Sequence, residues 1–210
     1  VPCSGNDCND CDDNNFKDIC GKCTTKTKTE PSIVEGRCNG IRTMLTIQSE
    51  TGKEIAAFFT ESNKMIILTN NSTQQNQTRS VTSPVYSDAA GNTIYSFSFR
   101  EKVEADIEEG IEARAEGWFA VYRVNGNLVE ERITGHYHTH PYSGNVSDED
   151  QNFASTGQFT GISHYYAIKD NQSITEYNGS GIVTHVDNGV TKNNVEYINC
   201  KNNPETINCN

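Results

Sequence analysis

Three of the chain's five histidines stand at alternate positions in Gly135-His136-Tyr137-His138-Thr139-His140-Pro141. In an extended strand, side chains two residues apart point to the same side, so His138 and His140 can converge on one point. Two imidazoles on one face supply two of the three protein ligands of an open zinc site, and a carboxylate commonly supplies the third. Carboxylates follow closely in Ser147-Asp148-Glu149-Asp150. If Ser147 caps a helix, Asp150 falls in its first turn, where the chain has turned back toward the end of the strand. Taken singly, His-x-His on an exposed strand and Ser-x-x-Asp at a helix start are ordinary structural patterns. Their conjunction across a short loop containing Ser143, Gly144 and Asn145 requires both patterns to arise at a suitable separation, and this favours the metal reading. His136 shares the strand face and reads either as a group that orients a ligand imidazole or as a structural histidine. His164 and His185 read as structural or surface residues.

These residues need a strand and a helix to hold them. Residues 118–124 and 128–138 are apolar runs separated by Asn125-Gly126-Asn127, a strong hairpin signal, and 147–155 has a helical pattern. Residues 162–169, 173–177 and 181–187 read as further strands. Upstream, 101–116 places Val103, Ile107, Ile111 and Ala115 at four-residue spacing, which predicts an amphipathic helix weakened at Gly110. Residues 93–99 alternate as a strand. Ile41, Thr43, Leu45 and Ile47 alternate as well. With the apolar runs 55–59 and 65–68, and turns at Glu50-Thr51-Gly52-Lys53 and Glu61-Ser62-Asn63-Lys64, they predict a three-stranded meander over 41–69. A polar stretch, 70–80, reads as a loop.

His138-Thr139-His140-Pro141 followed by Ser147-x-x-Asp150 resembles the signature of the JAMM/MPN zinc metallopeptidases, and is most similar to bacterial JAMM-like domains of secreted or toxin-associated proteins. Five residues, 142–146, separate Pro141 from Ser147, one fewer than is usual in that family. The resemblance covers roughly residues 100–187. It implies that His138, His140 and Asp150 bind Zn2+, leaving a position for water, and that Ser147 donates a hydrogen bond to a developing oxyanion. It also implies a general-base glutamate on the strand entering the hairpin. Glu116, immediately before Gly117-Trp118-Phe119, takes that place, with Glu112 as the alternative. The implied fold is α/β (α+β), a JAMM/deaminase-like α-β-α sandwich, preceded by a β-rich, disulfide-stapled region. The chain then divides into a Cys-rich cap (1–40), a β-rich N-terminal region (41–99), a JAMM-like metallopeptidase domain (100–190) and a C-terminal tail with two cysteines (191–210).

Composition bounds the rest. Acidic residues outnumber basic ones 28 to 17 in 210 residues, a net charge of −11, and such a surface repels phosphate backbones, so no nucleic-acid partner is expected. The longest apolar runs, 55–59 and 118–122, are far short of the roughly 20 residues of a transmembrane helix, so no transmembrane segment is expected. Of the eight cysteines, Cys3, Cys8, Cys11, Cys20, Cys23 and Cys38 precede the histidines, and Cys200 and Cys209 lie near the end. Stapled ends around a cysteine-free body point to a secreted, periplasmic or cell-surface protein with a processed or trimmed N-terminus. The pairs Cys8-x2-Cys11 and Cys20-x2-Cys23 read as disulfide cysteines or as a four-thiolate zinc site, and Cys200 and Cys209 bridge each other or tie the tail to the cap. No His-Glu-x-x-His, Gly-x-Ser-x-Gly or phosphate-binding glycine loop occurs, and the cysteines of a zinc deaminase are absent from the histidine region. Two functions fit: a zinc-dependent hydrolase of peptide or isopeptide bonds acting on a protein or peptide substrate, and a non-catalytic, cysteine-stapled binding or adhesion module on a degenerate JAMM-like scaffold.

Overall fold

A computed structural model of the chain describes residues 11, 15–17, 20–25, 32–68, 85–87, 93–100, 104–113, 116–124, 127–140, 145–156, 161–169 and 173–197. The 70–80 loop, the Asn125-Gly126 turn and the pairing of Cys200 and Cys209 lie outside the described residues. Near the N-terminus, β1 (Asn15–Lys17) and β2 (Cys23–Thr25) pair antiparallel, and a Cys11–Cys23 disulfide ties β2 to the preceding segment. That bond takes one cysteine from each Cys-x2-Cys pair, and Cys20 and Cys38 are disulfide-bonded too, which excludes the four-thiolate zinc alternative.

The body is a mixed α/β fold around a central sheet. In chain order it comprises β3 (Ser32–Glu35), α1 (Arg37–Thr51), β4 (Ala56–Thr60), β5 (Lys64–Leu68), β6 (Val85–Ser87), β7 (Thr93–Arg100), β8 (Gly117–Val124) and β9 (Asn127–His140). After these come α2 (Asp148–Thr156), β10 (His164–Lys169), β11 (Ser173–Asn178), β12 (Gly181–Ile182), β13 (Thr184–Asp187), β14 (Val190–Asn193) and β15 (Val195–Tyr197). Eleven of the described strands join one sheet, with the path β12-β11-β10-β9-β4-β5-β3 and β6, β7, β8 and β15 attached to it.

α1 replaces the first strand expected in the 41–69 meander. Ile41, Thr43, Leu45 and Ile47 alternate, but Ile41, Met44 and Ile47 also recur at helical spacing, and that second pattern prevails. Gly36, at φ 87°, starts the helix, and Gly52, at φ 65°, ends it in the left-handed conformation, donating its N–H to the Gln48 carbonyl. Ile41, Met44 and Ile47 pack on Ala57, Met65 and Ile67. The contact is close at Gly40, where a Cβ would stand 2.5 Å from Met65 Cβ. β4 and β5 are the other two strands of the expected meander.

The helix expected over 101–116 is absent among the described residues 104–113. Asp106 and Ile111 instead close a tight turn through a backbone bridge, with Gly110 at φ 71°. The Asp106 carboxylate accepts the N–H groups of Glu108 and Glu109, an alternative to helix for the backbone. The physical reason lies in the sequence: Glu104, Glu108 and Glu112 would stack like charges along one face, and Ile107, 95% exposed, has no core to enter.

β9 is the organising strand. Its first half pairs antiparallel with β8, while its second half lies between β4, antiparallel, and β10, parallel. Parallel neighbours need a crossover connection, and here α2 lies in it. Phe153 and Ala154 of α2 pack against the cluster formed by Ala56, Phe58, Tyr165, Ala167 and Tyr177. Tyr137, Ile168 and Ile174 join α1 in the other cluster. The second half of β9 is therefore buried on both faces, with one helix against each.

Candidate metal centre

β9 ends at His140 and the next element in the crossover, α2, starts at Asp148. Among the described residues, one group of side chains can hold a metal ion: His138, His140 and Asp150, whose ligand atoms all lie within 4.8 Å of one another. His138 Nε2 and His140 Nε2 are 2.7 Å apart. Asp150 Oδ1 is 3.1 Å from His138 Nε2, and Asp150 Oδ2 is 3.5 Å from His140 Nε2. Tetrahedral ligands about 2.0–2.1 Å from a zinc ion stand roughly 3.3 Å apart, and the three separations span that value. At 2.7 Å the two Nε2 atoms need a cation or a proton between them, because two bare lone pairs repel. The donor set therefore fits a divalent ion of the zinc class: two imidazoles and a carboxylate, largely shielded from water.

Asp150 is held by its own helix as well. Ser147 donates its backbone N–H to Asp150 Oδ2 at 2.8 Å, and Ser147 Oγ accepts the Asp150 N–H at 3.1 Å. This reciprocal pair closes the first turn of α2, the geometry of a capping box. Burial by itself pushes the Asp150 carboxyl up, but hydrogen bonds from His138 and His140 and the Ser147 N–H outweigh it, so the group stays well below the usual carboxylate range. Ser147 Oγ is used here as an acceptor, so its own O–H remains available to donate.

His136 lies on the same face but is not in the group. It is buried against Phe153, with ring centroids 4.5 Å apart, and against Phe58, at 5.3 Å. Burial, and then the neighbouring charge of His138, pushes its pKa well below the ordinary value, so it is neutral. On the opposite face Tyr137 accepts a hydrogen bond of 2.6 Å from Arg37 Nε at the start of α1, which anchors β9 one residue before His138. His164 pairs with Glu176 away from the group, and His185 sits on the exposed β13–β14 hairpin.

The structure does not bring Glu116 or Glu112 into the group. Both are exposed, and the Glu116 carbonyl accepts a hydrogen bond from Arg132, beside the first half of β9. A different glutamate is placed at the histidine end. Ala56 lies opposite His138 in the β4–β9 register. Just before it, Ile55 donates its N–H to Thr139 Oγ1 at 3.0 Å and accepts the Thr139 N–H at 2.9 Å. Glu54, the next residue back, is half-buried, and its charge acts on Tyr177, whose hydroxyl contacts His138. Glu54 has a signal in the sequence that was not read as a candidate. Two five-residue apolar runs occur, 55–59 and 118–122, and a glutamate precedes each, Glu54 directly and Glu116 by one further residue.

No protein-family model, curated protein or solved structure matches the chain. Among the described residues, no helix is long and apolar enough to cross a membrane.

Proposed function

We propose that the protein is a zinc-dependent hydrolase of peptide or isopeptide bonds, built on a JAMM-like sandwich and working outside the cytoplasm. The observation that carries this reading is the convergence of His138, His140 and Asp150 within 4.8 Å at the end of β9. The capping geometry of Ser147 supports it, and the disulfides support the extracytoplasmic setting.

His138, His140 and Asp150 would hold the ion, which when bound supplies Lewis acidity and makes water a nucleophile near neutral pH. The chain's own residues do the rest. Glu54 accepts a proton from the attacking water as its oxygen bonds to the substrate carbonyl carbon, and returns that proton to the leaving nitrogen as the C–N bond breaks. Ser147 donates its O–H to the oxygen that gains negative charge, a contribution of about 3 kcal/mol at comparable sites. Burial of the histidines keeps competing water off the imidazoles. Glu54 takes the base role here because β4 delivers it to the histidine end of β9, whereas Glu116 enters beside the other half.

The test is metal analysis of chain purified without chelator, followed by digestion of a peptide library and of isopeptide-linked conjugates. Near-stoichiometric zinc, and cleavage abolished by chelator and restored by zinc, is the expected result. A chain that takes up no zinc refutes the reading. A zinc-loaded chain with no cleavage leaves the non-catalytic binding module.

A further inference from the structure

We propose that Tyr177 is a positioning residue for the metal: its hydroxyl accepts the Nδ1–H of His138 and so holds that imidazole with the Nε2 lone pair aimed at the point shared with His140 and Asp150. The inference rests on the metal reading above and deepens it. Tyr177 Oη is 3.4 Å from His138 Nδ1, and the two rings meet edge to face at 82°, with centroids 5.7 Å apart. An imidazole that ligates through one nitrogen must carry its proton on the other, and the acceptor of that proton determines both the tautomer and the tilt of the ring.

The sheet explains how Tyr177 reaches the ligand. β10 separates β9 from β11, and the β10 residue beside His138 is Ala167, which offers only a methyl group. One step along, Tyr177 lies opposite Tyr165, and Tyr165 opposite His136. The Tyr177 ring can therefore lean diagonally over Ala167 to the histidine. Its side chain is 1% exposed, so no water competes for the contact.

Zinc affinity of metal-stripped full-length chain, measured in competition with a chromophoric chelator, tests the assignment. Tyr177→Phe keeps the ring and removes the hydroxyl, and should weaken zinc binding by about 10–100-fold while leaving the circular dichroism of the metal-free chain unchanged. Tyr165→Phe is the control. It removes a hydroxyl from the same cluster that accepts the Ile162 N–H at 3.2 Å instead of touching a ligand, and its affinity should match wild type. Tyr177→Phe binding within about threefold of wild type, or an equal loss in Tyr165→Phe, would overturn the inference while leaving the metal reading standing. If Tyr177→Phe does not fold, nitrogen-15 spectra of zinc-loaded wild type answer the same question. A His138 Nδ1–H protected from exchange supports the inference, and a freely exchanging one refutes it. Wild-type chain that takes up no zinc refutes the metal reading and this inference together.

Discussion

Asp150→Asn separates a metal site from a chance cluster. The three side chains come from β9 and α2 and meet only through the crossover to β10, so the unfolded chain has no such cluster and an ion held there stabilises the native state alone. At free zinc about 1,000 times the dissociation constant, that linkage contributes about 4.1 kcal/mol. For a chain of 210 residues this corresponds to a rise in Tm of about 8–16 °C over the metal-free form. The amide oxygen of the substituted side chain can still accept the Ser147 N–H, which conserves the helix start, but the anionic ligand is gone. Loss of a direct ligand costs at least the upper end of what outer partners cost, about 100-fold, so the same zinc concentration then stands at only about ten times the dissociation constant. The linkage falls to about 1.4 kcal/mol, a rise of roughly 3–6 °C. Differential scanning calorimetry on metal-free and zinc-supplied samples of both proteins reads the four values directly. Each protein serves as its own reference, so any effect of the substitution on the metal-free fold cancels. Equal zinc-induced shifts in the two proteins would refute the assignment of Asp150 as a ligand, and no shift in wild type would refute the site.

Three other outcomes follow from the fold. Glu54→Gln should keep zinc and lower kcat/KM about 10²–10⁴-fold, whereas Glu116→Gln should leave it within about twofold; the reverse pattern would return the base role to Glu116. Lys64 Nζ lies 2.8 Å from Glu131 and 3.0 Å from the Tyr122 hydroxyl, so Lys64→Met removes the cation beside a buried carboxylate and should cost about 1–3 kcal/mol in urea unfolding at pH 7. Burial raises the Glu131 pKa, but hydrogen bonds, led by the one from Lys64, outweigh it and depress the folded value. That contribution is complete above the carboxylate's unfolded pKa of about 4.3, and the gap between wild type and Lys64→Met should shrink as pH falls from there through the folded value. Gly40→Ala drives a Cβ to 2.5 Å from Met65 Cβ and should destabilise by about 1–3 kcal/mol in spite of alanine's better helix propensity; a stability gain would show that α1 can move away from β5 freely.

What was legible in the sequence was local. The histidine alternation, the Ser147–Asp150 pair and the β8–β9 hairpin each depend on residues a few positions apart, and the structure has all three. The two misread segments were also local, but each was decided by packing. Over 37–51, strand and helix periods coexist, and the helix is selected because the sheet of β4 and β5 offers Ile41, Met44 and Ile47 a place to bury. Over 104–113 the helical spacing was real, yet no apolar surface receives Ile107, and an acidic segment with a glycine turns instead.

By itself, then, the sequence determined that two imidazoles share a face and that a capped carboxylate follows them, because strand alternation and helix capping are short-range geometry. Tertiary structure alone decided which strands flank them. Both five-residue apolar runs lie in strands that pair with β9, but 119–122 pairs with its first half and 56–59 with its second. That register brings Glu54 rather than Glu116 to the histidine end, and the parallel β10 brings α2 and Asp150 over His138 and His140. Sheet register of this kind depends on how the buried faces of all the strands fit together, and no window along the chain contains that information.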